Sequence, residues 1–278
     1  MHRDGARLSS AAMTNADLVE LSDLAFAEAN RELARRAGGA VHDEDGLLLL
    51  AGATDLPVLF NAAMRTERGL SGREAIARAD RFFGERRRGY SVLLRAHAPD
   101  DDLRAAASDA GLTPFGDMPA MFLDHRLADV APPPGVALRV VEGDEDAAEF
   151  GRVMGEAYAT YGMPVECGIA GVGRLAVLRA PHIRALLALV DGRPAGGAMV
   201  ILSHGIAGIY WVGTVPEARG RGLAELCTRA VGNVGFDLGA RLVTLQASVM
   251  GEPIYRRMGY FEVTRYPYLV RFEAPPAC

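Results

Sequence analysis

The 278-residue chain is half hydrophobic and 23% charged, the balance of a folded protein rather than a disordered one. Its formal charge of −5 argues against a nucleic-acid partner, which calls for a basic face. No apolar run reaches the roughly 18 residues of a membrane span, and the polar N-terminus does not read as a secretory signal, so a cytoplasmic protein without a membrane partner is expected. The three scattered cysteines, Cys167, Cys227 and Cys278, show no metal-ligand spacing and are expected as free thiols. All 30 basic residues are arginine, which removes lysine as a catalytic base. Together with abundant Ala and Gly, this usage points to a GC-rich bacterial genome.

In chain order, a helix is predicted over about 15–36, with Leu18, Leu21, Leu24 and Phe26 at helical spacing and Thr14 or Asn15 as its cap. Strand-like runs follow at 47–51 and 57–64, then a helix at 72–87, a strand at 90–96, a helix at 101–110 and a strand after Gly111. Residues 129–135 carry three consecutive prolines, Pro132, Pro133 and Pro134, which join neither a ladder nor a helix. A boundary is therefore placed near residue 131, dividing the chain into domains 1–131 and 132–278.

Beyond it, the pattern reads strand 136–142, helix 144–160, a second helical stretch 168–179, and strands 183–190 and 194–203 around a hairpin turn at Asp191-Gly192. A strand at 206–215, a helix at 222–238, a strand at 241–248, a short helix at 252–258 and a strand at 260–272 complete it. Hairpins followed by strand–helix–strand make a mixed α/β sheet flanked by helices, not a pure dinucleotide-binding pattern. One block recurs: Gly111 and Gly259 each follow a short helix and each stand eight residues before a proline, Pro119 and Pro267, in an apolar strand. With the similar element order before it, this reads as a duplicated fold.

The chemistry concentrates at Thr214-Val215-Pro216-Glu217-Ala218-Arg219-Gly220-Arg221-Gly222-Leu223-Ala224. A strand ends, a glycine-rich turn follows and a helix opens, an arrangement that presents backbone N–H groups and the positive end of a helix dipole to an anion. Glycine lets a pyrophosphate approach the backbone, and Arg219 and Arg221 offer cationic donors. The loop lacks both the Gly-Lys-Ser/Thr ending of a P-loop and the full GxGxxG pattern.

Arg219-Gly220-Arg221-Gly222-Leu223-Ala224 resembles the R/Q-x-x-G-x-G/A signature of GNAT (GCN5-related) acetyltransferases at every defined position. Leu245-Gln246-Ala247-Ser248 is similar to that family's fifth strand, and Ile254-Tyr255-Arg256-Arg257-Met258-Gly259-Tyr260 to its closing helix and turn. The resemblance covers about 136–272 and is strongest over 205–262. It implies acetyl-CoA as cosubstrate, with pantetheine along the backbone of Val212, Gly213 and Thr214 where a bulge splays two parallel strands. The pyrophosphate would lie on the amides of 219–224. It also implies direct attack by an amine acceptor, small molecule or peptide, in a ternary complex, with Tyr255 protonating the departing thiolate.

Two positions depart from the family: Ser248 stands where Asn is frequent, and Gly251 where Ala is. The first half resembles the degenerate partner domain of tandem members. Aligning the glycine-turn blocks puts Ser71-Gly72-Arg73-Glu74 near the phosphate loop, with an acid where phosphate should sit. Tyr158, Tyr161, Tyr210 and Trp211 are candidates for an acceptor pocket, and Glu166 for a base. The loop leaves open an acyl-CoA-binding module without turnover, or transfer of a larger acyl group.

Overall fold

The computed structural model describes residues 13–272; Cys278 lies outside them. Helix α1 (Asn15–Arg36) starts as the sequence indicates. The Thr14 side chain accepts the Asp17 N–H at 3.2 Å and the Asp17 carboxylate accepts the Thr14 N–H at 2.7 Å, a reciprocal capping box. The first half continues with β1 (Ala40–Glu44), β2 (Leu47–Ala51), a short turn α2 (Pro57–Phe60), β3 (Asn61–Arg65), α3 (Gly72–Gly84), β4 (Tyr90–Leu93), α4 (Asp101–Asp109) and β5 (Thr113–Leu123). The second half contains β6 (Val136–Val140), α5 (Asp144–Tyr158), α6 (Val165–Val172), α7 (Leu175–Leu178), β7 (Ile183–Val190), β8 (Arg193–Ser203) and β9 (Ile206–Thr214). It ends with α8 (Leu223–Asp237), β10 (Val243–Gln246), α9 (Glu252–Arg257) and β11 (Phe261–Arg271).

Strand β1 is absent from the sequence reading because its His42, Asp43 and Glu44 give no apolar alternation; its turn, Asp45-Gly46, is nevertheless informative. Both turn residues have positive φ (49° and 77°), as do Asp191-Gly192 (49° and 79°) and His204-Gly205 (51° and 74°). Two successive left-handed residues match the twist of a tight hairpin. The run expected as strand 57–64 begins instead as a turn, with Leu59 at φ 75°, and is extended only from Asn61.

The strands form one mixed sheet in the order β1-β2-β3-β4-β11-β5-β10-β9-β8-β7-β6. The sequence led us to expect a separate sheet for each half; the sheet is continuous because each half contributes its last strand to the other. Strand β5 pairs antiparallel with β10, β11 pairs antiparallel with β4, and β5 and β11 pair with each other. The repeat persists within this exchange. The runs β1-β2-β3-β4 and β7-β8-β9-β10 are both antiparallel, antiparallel, then parallel. The glycines aligned from sequence, Gly111 and Gly259, have φ of 83° and 95° and precede strands of equal length.

The largest apolar core lies under the second half and includes Phe150, Met154, Leu187, Val200 and Cys227; a smaller one gathers Phe83, Tyr90 and Leu103. Cys167 and Cys227 are buried free thiols. Beside the smaller core, Arg65 and Asp100 form a 2.6 Å ion pair in which both side chains are 4% exposed. Burial opposes ionisation of Asp100, but hydrogen bonds from Arg95 and Arg65 outweigh it and hold its carboxyl below the usual range. Contacts also tie α1 to the second half: Glu32 meets His182 at 2.8 Å, and Arg36 donates to the Ala176 carbonyl. Among the described residues no helix is long and apolar enough to cross a membrane.

Candidate functional site

Strand β9 is interrupted near its end. Gly197 on β8 faces Gly213 and Met199 faces Tyr210, so two residues, Trp211 and Val212, oppose the single Ala198. Trp211 takes φ 52°, the left-handed conformation of a bulged residue. Parallel pairing of β9 with β10 runs from Ala207–Val243 to Ile209–Leu245 and stops before the bulge. Past that point the two strands part, and the backbone of Val212, Gly213 and Thr214 lines a cleft of about 410 Å³. Gly213 is required for packing as well as access, since a Cβ there would stand 2.9 Å from Met154 Sδ and from Ala157 Cβ.

The loop after β9 forms the far wall. Gly220 and Gly222 have φ of 76° and 77°, and space is open where a Cβ would sit on either. Gly222 is the N-cap of the 15-residue helix α8, which has no side-chain cap. The first-turn amides of α8 therefore face the cleft with no hydroxyl or carboxylate capping them, the condition in which a helix start takes an anion. In the first half the corresponding helix α3 is closed: Ser71 accepts the Glu74 N–H at 3.2 Å and Asp102 Oδ2 accepts the Gly72 N–H at 2.6 Å. Hydrogen bonding from Arg65 is the largest influence on Asp102 and lowers its pKa, so the carboxylate stays charged on the Gly72 amide.

The cleft brings together most of the residues singled out from sequence: Val212, Gly213, Thr214, Arg219, Gly220, Gly222, Leu223, Ala224, Ser248, Tyr255, Tyr158 and Tyr161 all line it. Arg219 is not a free cationic donor, however. Its guanidinium donates to the Ala157 carbonyl at 3.0 Å and to Thr160 Oγ1 at 2.7 Å, tying the loop to the end of α5. Arg221 is exposed and lies outside the cleft lining, so its backbone rather than its side chain belongs to the turn. A basic residue that the sequence reading passed over, Arg257, lines the cleft from α9; it falls at a variable position of the closing motif and gave no signal.

Tyr255 sits on the floor, 7% exposed, and burial raises its phenol to about 12. Its ring lies against Gly251, where a Cβ would be 2.7 Å from Tyr255 Cε2, which accounts for glycine at this position. Ser248 Oγ accepts the Gly251 N–H at 3.2 Å and the Tyr161 hydroxyl at 3.2 Å, bridging the cleft beside Tyr255. The Tyr158 hydroxyl donates to the Val212 carbonyl at 3.4 Å, and its ring is 5.2 Å from that of Trp211.

A second cavity of about 180 Å³ adjoins the first through Tyr158, Val212, Ser248 and Tyr255. Tyr210 and Trp211 line it, as does the first half, through Phe26, Asn30, Leu33, Ser91 and Met118. Glu166 is exposed and lines neither space. Among the described residues, the only carboxylate on either wall is that of Glu225, held 3.0 Å from Arg229.

No protein-family model matches the chain. It is similar to a mycothiol acetyltransferase of Thermomonospora curvata, 30% identical over 218 residues that cover 69% of this chain and 71% of that protein. Among solved structures it resembles a GCN5-related N-acetyltransferase from Kribbella flavida (22% identity, TM-score 0.67, covering 94% of this chain and 96% of the other). It also resembles a tandem GNAT protein from the clavulanic acid biosynthesis pathway (19% identity, TM-score 0.57, covering 95% and 96%).

Proposed function

The chain belongs to the GCN5-related N-acetyltransferases and is an acetyltransferase, and on that premise we propose that it transfers the acetyl group of acetyl-CoA to an amine by direct attack in a ternary complex. The observation that carries the proposal is the split between β9 and β10 at the Trp211 bulge, opening beside an uncapped helix start. Pantetheine is held along Val212–Thr214 and pyrophosphate on the amides of 219–224. When bound, the thioester supplies the acetyl group; the second cavity supplies the acceptor, and the two meet at Tyr255.

With its pKa near 12, Tyr255 remains protonated across neutral pH and always has a hydrogen to offer. A thiol is the stronger acid, at about 8.5 for cysteine. Tyr255 therefore eases sulfur departure as a hydrogen-bond donor and relays to sulfur the proton released from the acceptor nitrogen, ending as the neutral phenol. The halves divide at about residue 131, and the first acts as a degenerate domain that walls the acceptor side, its own helix start being filled by Asp102. Isothermal titration with acetyl-CoA and a thiol-release assay over an amine panel test this reading. Binding without turnover of any amine would favour an acyl-CoA-binding module instead.

A further inference from the structure

We propose that the acceptor is a neutral, single-ring aromatic amine recognised through the side-chain amide of Gln246. This rests on the acetyl-transfer reading above and adds to it the class of acceptor. The 180 Å³ cavity is lined by the rings of Phe26, Tyr158, Tyr210, Trp211, Tyr255 and Tyr268, and among the described residues no charged side chain lines it. An apolar cavity of about 150 Å³ is enough to hold benzene, whereas pockets for drug-sized ligands run to about 300–1,000 Å³. One ring with a small substituent is the matching size.

The absence of charge from the lining decides the nucleophile. A lysine-like amine, with a pKa of about 10.4, is unprotonated in only about one molecule in 2,500 at pH 7. Its cation would lose hydration in this cavity and find no counter-ion. Among the described residues no carboxylate is there to take its proton, since Glu166 is outside and Glu225 is engaged by Arg229 in the other cleft. The titratable groups facing the cavity are Tyr158, Tyr210, Tyr255 and Tyr268, and burial raises all four. An aromatic amine is neutral at pH 7, because its lone pair is delocalised into the ring, and needs no base before attack.

Gln246 supplies the recognition. Gln246 lines the cavity from the end of β10; its Nε2 and Oε1 have almost no accessible surface and no hydrogen-bond partner, so a rotation of the side chain brings them to an occupant. A buried amide left unpaired is costly, so an occupant carrying both a donor and an acceptor is favoured there. In the reaction the acceptor nitrogen forms the C–N bond to the thioester carbonyl as the C–S bond breaks. The departing sulfur takes the Tyr255 hydrogen, and the proton lost from nitrogen restores the phenol, giving an N-aryl acetamide and free coenzyme A.

The test compares 4-aminobenzamide with 4-(aminomethyl)benzamide, the same ring bearing an aromatic or an alkyl amine, in a thiol-release assay on the full chain with acetyl-CoA. The aromatic amine should show kcat/KM at least about tenfold higher at pH 7, and its rate should be flat from pH 6 to 8. Gln246→Leu should lower kcat/KM for 4-aminobenzamide about tenfold while acetyl-CoA affinity stays unchanged. Gln246→Glu should move the preference toward the alkyl amine, a reversal that a merely structural glutamine would not produce. Acetyl-CoA binding with no preference for the aromatic amine, with no turnover of it, or with wild-type rates in Gln246→Leu overturns the proposal alone. Failure to bind acetyl-CoA at all removes the coenzyme reading and this proposal with it.

Discussion

Replacing Gly222 by Gln or by Glu separates charge from shape in the anion cradle. Both substitutions put an L-residue at φ 77°, which costs about 1–2 kcal/mol of backbone strain in either case. Nothing lies within 4 Å of the position a Cβ would take, so neither side chain meets a protein clash, and the two have nearly the same volume. What differs is one negative charge at the opening of α8. At about 4 Å and an effective dielectric near 20, a like-charge pair costs about 4 kcal/mol. Because Gly222 is exposed, screening reduces this to about 2–4 kcal/mol. Acetyl-CoA should therefore bind the Glu variant about 30- to 1,000-fold more weakly than the Gln variant, the gap narrowing as salt rises. Titration calorimetry at two ionic strengths measures this directly, with melting temperatures showing that the two variants share the same strain. Equal affinities for Gln and Glu would mean that no phosphate sits at this helix start.

Tyr255→Phe keeps the ring against Gly251 and removes only the donor, so kcat should fall about 10²–10⁴-fold with acetyl-CoA Kd unchanged; an intact kcat would leave the tyrosine a packing residue. Saturation binding should give one acetyl-CoA per chain, because Asp102 and Ser71 already take the Gly72 and Glu74 amides at the start of α3; a stoichiometry of two would refute the closed first site. Asp100→Asn removes one of the two carboxylates paired with buried Arg65, Asp102 remaining at 2.9 Å, and should cost about 1.5–3 kcal/mol in urea unfolding near pH 7. Since the folded-state carboxyl is held below its ordinary value of 3.8, that contribution is complete above about pH 4 and is lost as pH falls through the lower folded value. The gap between wild type and variant should therefore close in acid, and a gap independent of pH would mean that the carboxylate charge is not what stabilises the fold.

The loop proposed to hold the coenzyme stands out in the sequence because its geometry is local. Glycines at 220 and 222, a proline stop and a helix start are all contained within a few residues, and the backbone itself is the proposed ligand-binding group. Arg219 and Arg221 were less legible, because composition says that a cation is present but not what it touches. The guanidinium of Arg219 is claimed by Ala157 and Thr160, some 60 residues away in the chain. The second cavity was the least legible, being assembled from α1, β3–β5, β9 and β10 at once. Tyr210 and Trp211 were named from β9, but Asn30 and Gln246 carry no local pattern that marks them as neighbours. Glu166 was named for its place in sequence, and the fold turns it to solvent.

The exchange of β5 and β11 explains why the duplication was visible while the continuous sheet was not. Each glycine-turn block keeps its own period, φ and strand length, which is a local property and survives in sequence. Which strand a block pairs with depends on the opposite half: Val243–Gln246 pairs with Ala120–Leu123, and Tyr90–Leu93 with Tyr268–Arg271. A consequence is that neither half can close its sheet alone, since removing the first half strips β10 of its antiparallel neighbour beside the proposed site. The two helix starts show what this dependence permits. With the fold held by both halves, one start keeps open glycines over a cleft, while at the other Asp102 accepts the Gly72 N–H at 2.6 Å. In the first half the helix start is thus satisfied from within the chain, by a carboxylate that its ion pair with Arg65 secures.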